Sequence, residues 1–247
     1  MIEIFILSFF ATFLQTPFGY LIQKGSNLRS FSMQHIYGLI ILSFFALLLN
    51  FFTPLNEFVN SIFIIVGLIL IVKYYRVFLT KKYFLYSIIS SLIIFLLITS
   101  SDVYRPDAGL YHLPYIKILN EEKIIFGISN LHFRFGHISI IQYLSALNFN
   151  FIFKENGIVL PSAMLSAASI IYFLSNLNFR LKKKKFDFYF FFALSLLLFI
   201  FYKVNRYSEY GNDAPAHLLT FILISEIIKN FYNFRFNDIH KYFLISS

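Results

Sequence analysis

The sequence lacks cysteine and tryptophan and contains little charge. Without cysteine, a disulfide framework, a thiolate nucleophile and a cysteine-ligated metal centre are excluded. Charged residues make up 13% of the 247 residues, whereas about 25% is usual for a soluble domain. Apolar residues reach 58%, and the mean hydropathy is +0.71. This composition excludes soluble, disordered and disulfide-rich secreted proteins, and it predicts a multi-pass membrane protein.

Several enzyme motifs are also missing. The sequence contains no Gly-x-x-x-x-Gly-Lys phosphate loop, no His-Glu-x-x-His zinc motif and no Gly-x-Ser-x-Gly nucleophile motif. No cofactor or metal is predicted, and a divalent cation between Asp107 and a histidine is an unsupported alternative. The net charge of +9 would indicate nucleic acid in a soluble protein. Here the cations flank apolar runs and indicate membrane lipids as partners, not nucleic acid, and no oligomeric state is predicted.

The apolar runs predict an all-α fold, a polytopic transmembrane bundle of about seven spans. A helix needs roughly 20 apolar residues to cross about 30 Å of hydrocarbon. The predicted organisation is a four-span region at 1–99, an outer loop with interfacial helices at 100–157 and a three-span region at 158–247. The seven runs are Ile4–Ile22, Ile36–Phe52, Phe58–Val72, Tyr83–Thr99, Ile158–Leu177, Phe188–Tyr202 and Ala214–Ile228.

A further uncharged segment, Gly136–Phe153, determines the topology. If it does not span, 14 of the 21 Lys and Arg residues face the cytoplasm, including the cluster Arg180–Lys185. If it spans, that cluster faces outward, against the positive-inside rule. We therefore predict that the segment lies along the outer interface.

The helical periodicity of this segment agrees with an interfacial helix. Gln142 and Ser145 fall opposite an apolar stripe, and a spanning helix with a polar face towards the bundle is the alternative. The stripe consists of Ile140, Tyr143, Leu144, Leu147 and Phe151.

The two ends of the chain carry further signals. The N-terminus lacks the basic region and cleavage site of a signal peptide, so we predict an uncleaved first span with the N-terminus outside. Tyr242–Ser247 is typical of the start of another apolar run, and one interpretation is that the chain is an N-terminal fragment. The abundance of Phe, Ile, Asn and Lys indicates a bacterial source, and hence the cytoplasmic (inner) membrane.

Acidic residues concentrate in two predicted outer loops, of which the first spans 101–135. Asp107 follows a proline at the end of a predicted span, where partial desolvation at the water–lipid boundary suits a general base. The alternative is that Asp107 only caps a helix running to about Asn120 and that Asp102 is a solvated acid.

Short motifs in this region follow one order. They are Asp107-Ala-Gly-Leu-Tyr111, Ile116-Lys-Ile-Leu-Asn-Glu121, His132-Phe-Arg-Phe-Gly136, Gln142-Tyr-Leu-Ser-Ala-Leu147 and Leu160-Pro-Ser-Ala163. Their order over roughly Ser100–Phe186 resembles the first outer loop of GT-C glycosyltransferases, the superfamily of protein O-mannosyltransferases and aminoarabinose transferases. The sequence departs from that pattern at Ala108, where many members have a second acid, and in having three spans before the one that carries the motif.

The resemblance implies a set of roles. Asp107 matches the catalytic acid, Tyr111 the motif tyrosine and Arg134 the basic position before the interfacial helix. The implied donor is a polyprenyl-phosphate-linked sugar, whose leaving phosphate Arg134 would stabilise together with His132 or His137. Asp102, Tyr111 and His112 are expected to support this site.

The second outer loop, Lys203–Ala214, places Glu209 and Asp213 in a turn that leads directly into a span. Ionisable groups at that depth are costly and usually functional. We therefore expect both acids to join Asp107 in one catalytic site near Arg134, above a groove open to lipid. The alternative is an ordinary turn, with Asp213 as helix N-cap and Pro215 in the first turn.

We interpret the chain as a membrane glycosyltransferase that moves a sugar from a polyprenyl-phosphate donor to an acceptor on the outer face. The alternatives are a transporter or flippase-like protein and a non-catalytic membrane subunit of cell-envelope polysaccharide assembly. The sequence shows no inverted repeat and no charged residue in the middle of a predicted span. Both features would favour a transporter.

The topology can be tested at Lys183, because the chain has no native thiol. A Lys183→Cys variant should resist a membrane-impermeant thiol reagent in intact cells and react once the membrane is opened. Glu155→Cys, on the opposite predicted face, should react in intact cells. Labelling of Lys183→Cys in intact cells would contradict the topology.

Overall fold

The computed structural model describes residues 2–100, 106–136, 139–211, 213–230 and 245–246, and the regular elements within these ranges are all helical. The helices that carry the fold are α1 (Ile2–Gly19), α2 (Leu28–Asn50), α3 (Glu57–Lys73), α4 (Tyr75–Phe78), α5 (Lys81–Ser100), α6 (Leu113–Glu121), α7 (Ile140–Leu147), α8 (Leu160–Lys182), α9 (Phe188–Tyr202) and α10 (Asp213–Asn230).

Four of these helices, α1, α2, α5 and α8, are long and apolar enough to cross a membrane. The prediction of an all-α chain is confirmed for the described residues, and these four helices are candidates for the predicted membrane spans. The other three apolar runs form α3, α9 and α10, which have 17, 15 and 18 residues. At about 1.5 Å per residue, α9 is roughly 22 Å long and shorter than the hydrocarbon layer.

Glycines bring α1 and α2 into close contact. A Cβ on Gly38 would lie 2.4 Å from the carbonyl oxygen of Gln15, and one on Gly19 would lie 1.8 Å from that of Gln34. Both distances are far below contact range and both obstructing atoms are backbone, so only glycine fits. Small residues at helix crossings are the usual packing device in membrane proteins, where lipid and side chain are equally apolar.

Helix α8 lies in the middle of the bundle and packs against α2, α5, α9 and α10. Its buried face is rich in Ser and Ala, which lets neighbouring helices approach closely. At the periphery, α3 keeps Asn60 and Gly67 buried but exposes large apolar side chains such as Phe58 and Ile65. An exposed apolar face of this extent fits contact with lipid.

The structure of the segment Gly136–Phe153 differs from the interfacial helix that the sequence predicts. Its helical part, α7, has eight residues and is about 12 Å long, which is too short to cross the membrane as one helix. Its polar side does not face water, because Gln142 and Ser145 are buried with 3% and 7% exposure. The polar side of the helix is therefore buried in the bundle, where α7 packs against α2, α6 and α8.

Three asparagine side chains fasten α6 and α7 to the bundle. Asn60 Nδ2 of α3 donates to the carbonyl of Ala146 within α7 (2.9 Å) and to that of Phe149 just after it (2.7 Å). Asn120 Nδ2 of α6 also donates to Ala146 O at 2.9 Å. Asn50 Nδ2 of α2 reaches Glu122 O at 3.0 Å. These bonds join α2, α3, α6 and α7 through backbone carbonyls, and so they fix the loop to the bundle.

Candidate functional site

The loop between α9 and α10 is fastened to the end of α5 by side-chain hydrogen bonds. Ser208 Oγ donates to the carbonyl of Leu97 at 3.0 Å, close to the C-terminus of α5. Ser166 Oγ of α8 donates to the carbonyl of Tyr207 at 2.7 Å. Since the loop between α5 and α8 begins where α5 ends, the two acid-bearing loops lie side by side.

The α5–α8 loop enters α6 through one wide, π-helical turn, Ala108–His112. Its defining bond runs from the Leu113 N–H to the Ala108 carbonyl, five residues back. Pro114 follows directly and has no N–H to offer to that turn, which explains why the ordinary hydrogen-bond pattern is interrupted. Wide turns of this kind are frequent at functional sites. Here the turn places the rings of Tyr111 and His112 only 4.2 Å apart.

Asp107 stands one turn before Tyr111 and does not cap the helix. Its backbone is already helical, with φ −60° and ψ −31°, and its side chain makes no capping bond. A capping residue has an extended backbone, so the capping interpretation of Asp107 is wrong. Its exposed carboxylate instead acts on the Tyr111 phenol, four residues further on, and raises the pKa of that group.

Arg134 lies over the ring of Tyr111. Its guanidinium carbon is 5.4 Å from the Tyr111 ring centre and 5.2 Å from that of Phe133, within cation–π range. His132 stacks on Tyr111 with ring centres 6.5 Å apart. Among the described residues Arg134 forms no ion pair, and its side chain is exposed, so its charge is open to an anionic ligand.

Asp213, the first residue of α10, completes the cluster from the second loop. Its negative charge acts on both Tyr111 and His112, as does that of Asp107. The same loop brings Gly211 against His112: a Cβ on Gly211 would lie 3.9 Å from His112 Nε2. The structure thus brings together Asp107, Tyr111, His112, Arg134 and Asp213, which we call the loop cluster.

The remaining candidate residues are placed differently. Glu209 forms an ion pair with Arg206 of its own loop, at 4.0 Å. The charges that act most strongly on Tyr111 and His112 are those of Asp107, Arg134 and Asp213. Asp102 and His137 lie outside the described residues. In the described ranges, no group of three His, Asp or Glu side chains is arranged to hold a metal ion.

The loop cluster perturbs both of its titratable rings. Partial burial raises the pKa of the Tyr111 phenol above 10.0, the charges of Asp107 and Asp213 raise it further, and Arg134 opposes them. Burial lowers the pKa of His112 below 6.5, and Arg134 lowers it too, whereas Asp107 and Asp213 raise it. Tyr111 is therefore a neutral phenol and His112 a neutral imidazole near pH 7.

Gln142 belongs to the site but was not among the candidate residues. Its Nε2 lies 3.0 Å from His112 Nδ1. Beneath it, the hydroxyls of Tyr115 and Tyr143 are 3.2 Å apart, and burial raises the pKa of both phenols. The sequence contained one usable signal, because Ser139-Ile-Ile-Gln142 fits the Ser-x-x-Gln form of a helix capping box. That pattern places Gln142 in the first turn of a helix but says nothing about His112.

An apolar cavity of about 260 Å³ lies next to the loop cluster. Its rim is formed by Ile141, beside Gln142, and by Pro215, two residues after Asp213. It is walled by α2, the start of α7, α8 and the first half of α10, with Ile245 and Ser246 closing one side. The wall residues include Leu39, Ile40, Ser43, Ile140, Leu165, Leu219 and Leu223.

This arrangement has a definite chemical capacity. A carboxylate accepts protons, and the exposed guanidinium of Arg134 offers a planar pair of donors that matches phosphate oxygens. Both groups lie near Tyr111, where one ligand can contact both. Apolar walls beside the polar groups suit a ligand with an anionic head and an apolar tail.

The charges around Tyr111 can be tested by titrating its phenol. Asp107→Asn removes a negative charge and a charged acceptor, so the pKa of Tyr111 should fall. Arg134→Gln removes a cation that favours the phenolate, so the pKa should rise. The measurement is a pH titration by NMR of protein labelled at the tyrosine ζ carbon, with the Tyr111 signal identified by Tyr111→Phe.

Glu121→Gln, an exposed acid at the far end of α6, serves as the control and should leave the pKa unchanged. Shifts of the same sign in Asp107→Asn and Arg134→Gln would contradict the arrangement.

Comparison with known proteins gives a family but no characterised relative. No curated protein and no solved structure matches the chain. One family profile, described as a domain of unknown function, matches residues 1–247. The chain therefore belongs to the DUF8201 family.

Proposed function

We propose that the chain is an integral-membrane glycosyltransferase that moves a sugar from a polyprenyl-phosphate donor to an acceptor. In this proposal all seven apolar helices span a bacterial cytoplasmic membrane and the loop cluster lies at its outer face. The order of motifs from Asp107 to Ala163 supports the assignment through its resemblance to GT-C enzymes. Asp107 then acts as the catalytic carboxylate, and Arg134 binds the donor phosphate.

The observation that carries the proposal is that Asp107 and Arg134 both act on Tyr111, next to an apolar cavity. Transfer from a lipid phosphate needs a carboxylate to take the acceptor proton and a cation to stabilise the leaving phosphate. It also needs both groups at the border of the lipid, since the isoprenoid chain does not leave the bilayer. The loop cluster supplies the carboxylate and the cation, and the neighbouring apolar cavity supports a position at that border.

The size of the cavity limits how the donor binds. Pockets for whole small molecules are about 300–1,000 Å³, so a cavity of about 260 Å³ holds only the first part of a long isoprenoid. The rest of the tail then lies along the exposed apolar faces of the bundle. With Pro215 and Ile141 at the rim, the phosphate would rest near Arg134 and the sugar between the two loops.

Two other functions would use the same cluster differently. A transporter or flippase-like protein would pass a substrate between the acidic loops, and a subunit of polysaccharide assembly would use them to bind a partner. Neither function requires the carboxylate of Asp107 to accept a proton, so replacing it by an amide of equal size distinguishes them from an enzyme.

The test is a transfer assay on purified protein with a panel of polyprenyl-phosphate-linked sugars. Asp107→Asn should reduce turnover by roughly 10²- to 10⁴-fold, the usual contribution of a general base, with little change in donor binding. Arg134→Gln should weaken donor binding by roughly 1.5–3 kcal/mol, because a hydrogen bond to a charged group is lost.

Glu121→Gln provides the control, because it removes an exposed acid from the same loop and should transfer sugar at the wild-type rate. Sugar transfer by Asp107→Asn at the wild-type rate would contradict the proposed role of Asp107 as the catalytic carboxylate. Solute flux through vesicles without sugar transfer would favour the transporter instead.

A further inference from the structure

The side-chain amide of Gln142 is held in one orientation by the start of α7. Its Oε1 accepts a hydrogen bond from the backbone N–H of Ser139 at 3.2 Å, as part of a capping box. A backbone N–H can only donate, so the oxygen of the amide must face Ser139. The nitrogen of the amide must then face the other way, and there it meets His112 Nδ1 at 3.0 Å.

This orientation determines where the proton of His112 lies. The Gln142 Nε2 group is a donor without acceptor capacity, so His112 Nδ1 has to accept. A neutral imidazole with an accepting Nδ1 carries its hydrogen on Nε2. Protonation of Nδ1 would bring two donors face to face and would break the bond to Gln142.

His112 Nε2 is directed towards the second loop. The imidazole is 4% exposed, and Nε2 lies 3.9 Å from the position of a Cβ on Gly211. The charged and titratable groups around it are Asp107 and Tyr111 on its own segment, Arg134 on the same loop and Asp213 on α10. The hydrogen on Nε2 therefore points into the space between the two loops.

We propose that Gln142 holds His112 as a neutral Nε2–H tautomer, and that this N–H donates to an oxygen of the ligand bound between the loops. The identity of that ligand, a phosphate-bearing lipid, rests on the proposed function, but the tautomer does not. His112 is thus a binding residue of the loop cluster, and Gln142 positions it.

A neutral donor suits this site better than a cation would. An imidazolium between Asp107 and Asp213 would attract both carboxylates and make them weaker bases. Burial and the charge of Arg134 keep the pKa of His112 low despite the two acids. The site therefore keeps a hydrogen-bond donor in place while Asp107 stays free to accept a proton.

The tautomer can be read directly in the ligand-free protein. Histidine-selective ¹⁵N NMR distinguishes a protonated from an unprotonated ring nitrogen, and the His112 signals are those lost in His112→Gln. We expect His112 to be Nε2–H, and to become charged only at a pH below the ordinary pKa of histidine, 6.5.

Gln142→Glu is the matched variant, since the new carboxylate has the same shape but cannot donate. It should move the hydrogen to Nδ1 and raise the pH at which His112 becomes charged. An Nδ1–H tautomer in the wild type, or no change in Gln142→Glu, would overturn the inference.

The test has two arms, of which the NMR experiment is the first. The second arm measures binding of polyprenyl phosphate to the purified chain by native mass spectrometry, with the uncharged polyprenol as reference. His112→Gln keeps an amide nitrogen near the position of Nε2, whereas His112→Asn can only reach the position of Nδ1. We expect His112→Gln to bind the phosphate nearly as well as the wild type and His112→Asn to bind it roughly 10- to 150-fold more weakly.

The two arms separate failure of this inference from failure of the proposed function. A wild type that binds polyprenyl phosphate no better than polyprenol would contradict the proposed function, while the NMR result still decides the tautomer. Equal binding by the wild type and His112→Asn would overturn the role of His112 and leave the proposed function standing.

Discussion

The site depends on the hydrogen bond by which Ser208 holds the α9–α10 loop to the end of α5. Ser208 Oγ donates to the carbonyl of Leu97, one of the last backbone carbonyls of that helix, which also accepts from Ser100 Oγ at 3.4 Å. The bond satisfies a buried acceptor and fixes the second loop beside the first. Because of this contact, Gly211 lies near His112, and the charge of Asp213 acts on Tyr111 and His112.

Amide and hydroxyl side chains perform the same task throughout the polar layer. Buried backbone groups near an apolar bundle need partners, and here Asn50, Asn60 and Asn120 supply them for α6 and α7. Gln142 extends this arrangement from the backbone to a functional side chain, since one end of its amide caps α7 and the other end binds His112. Structural and chemical roles are thus joined in a single residue.

The sequence predicted the helices well and the loops only in part. Apolar runs such as Tyr83–Thr99 coincide with helices, because a helix is the only structure in which a single segment forms all of its own backbone hydrogen bonds in lipid. The periodicity of α7 gave a helix but not its surroundings, because burial of Gln142 depends on helices distant in sequence. The wide turn at Ala108–His112 and the uncapped geometry of Asp107 also depend on local bonds that residue types alone do not determine. Charge placement drew attention to Asp107 and Asp213, whereas the pairing of Glu209 with Arg206 shows that acids in one loop need not share one site.

The central claim, that the two loops form one site, is tested most directly by cross-linking paired cysteines in this cysteine-free chain. His112→Cys with Gly211→Cys should join within one chain through a short thiol cross-linker, because the two positions face each other. Glu122→Cys with Gly211→Cys should not, since position 122 lies about 15 Å further along α6. A shared site predicts efficient cross-linking of the pair at positions 112 and 211 and no cross-linking of the other pair. No joining of the pair at positions 112 and 211, or equal joining of both pairs, would contradict it.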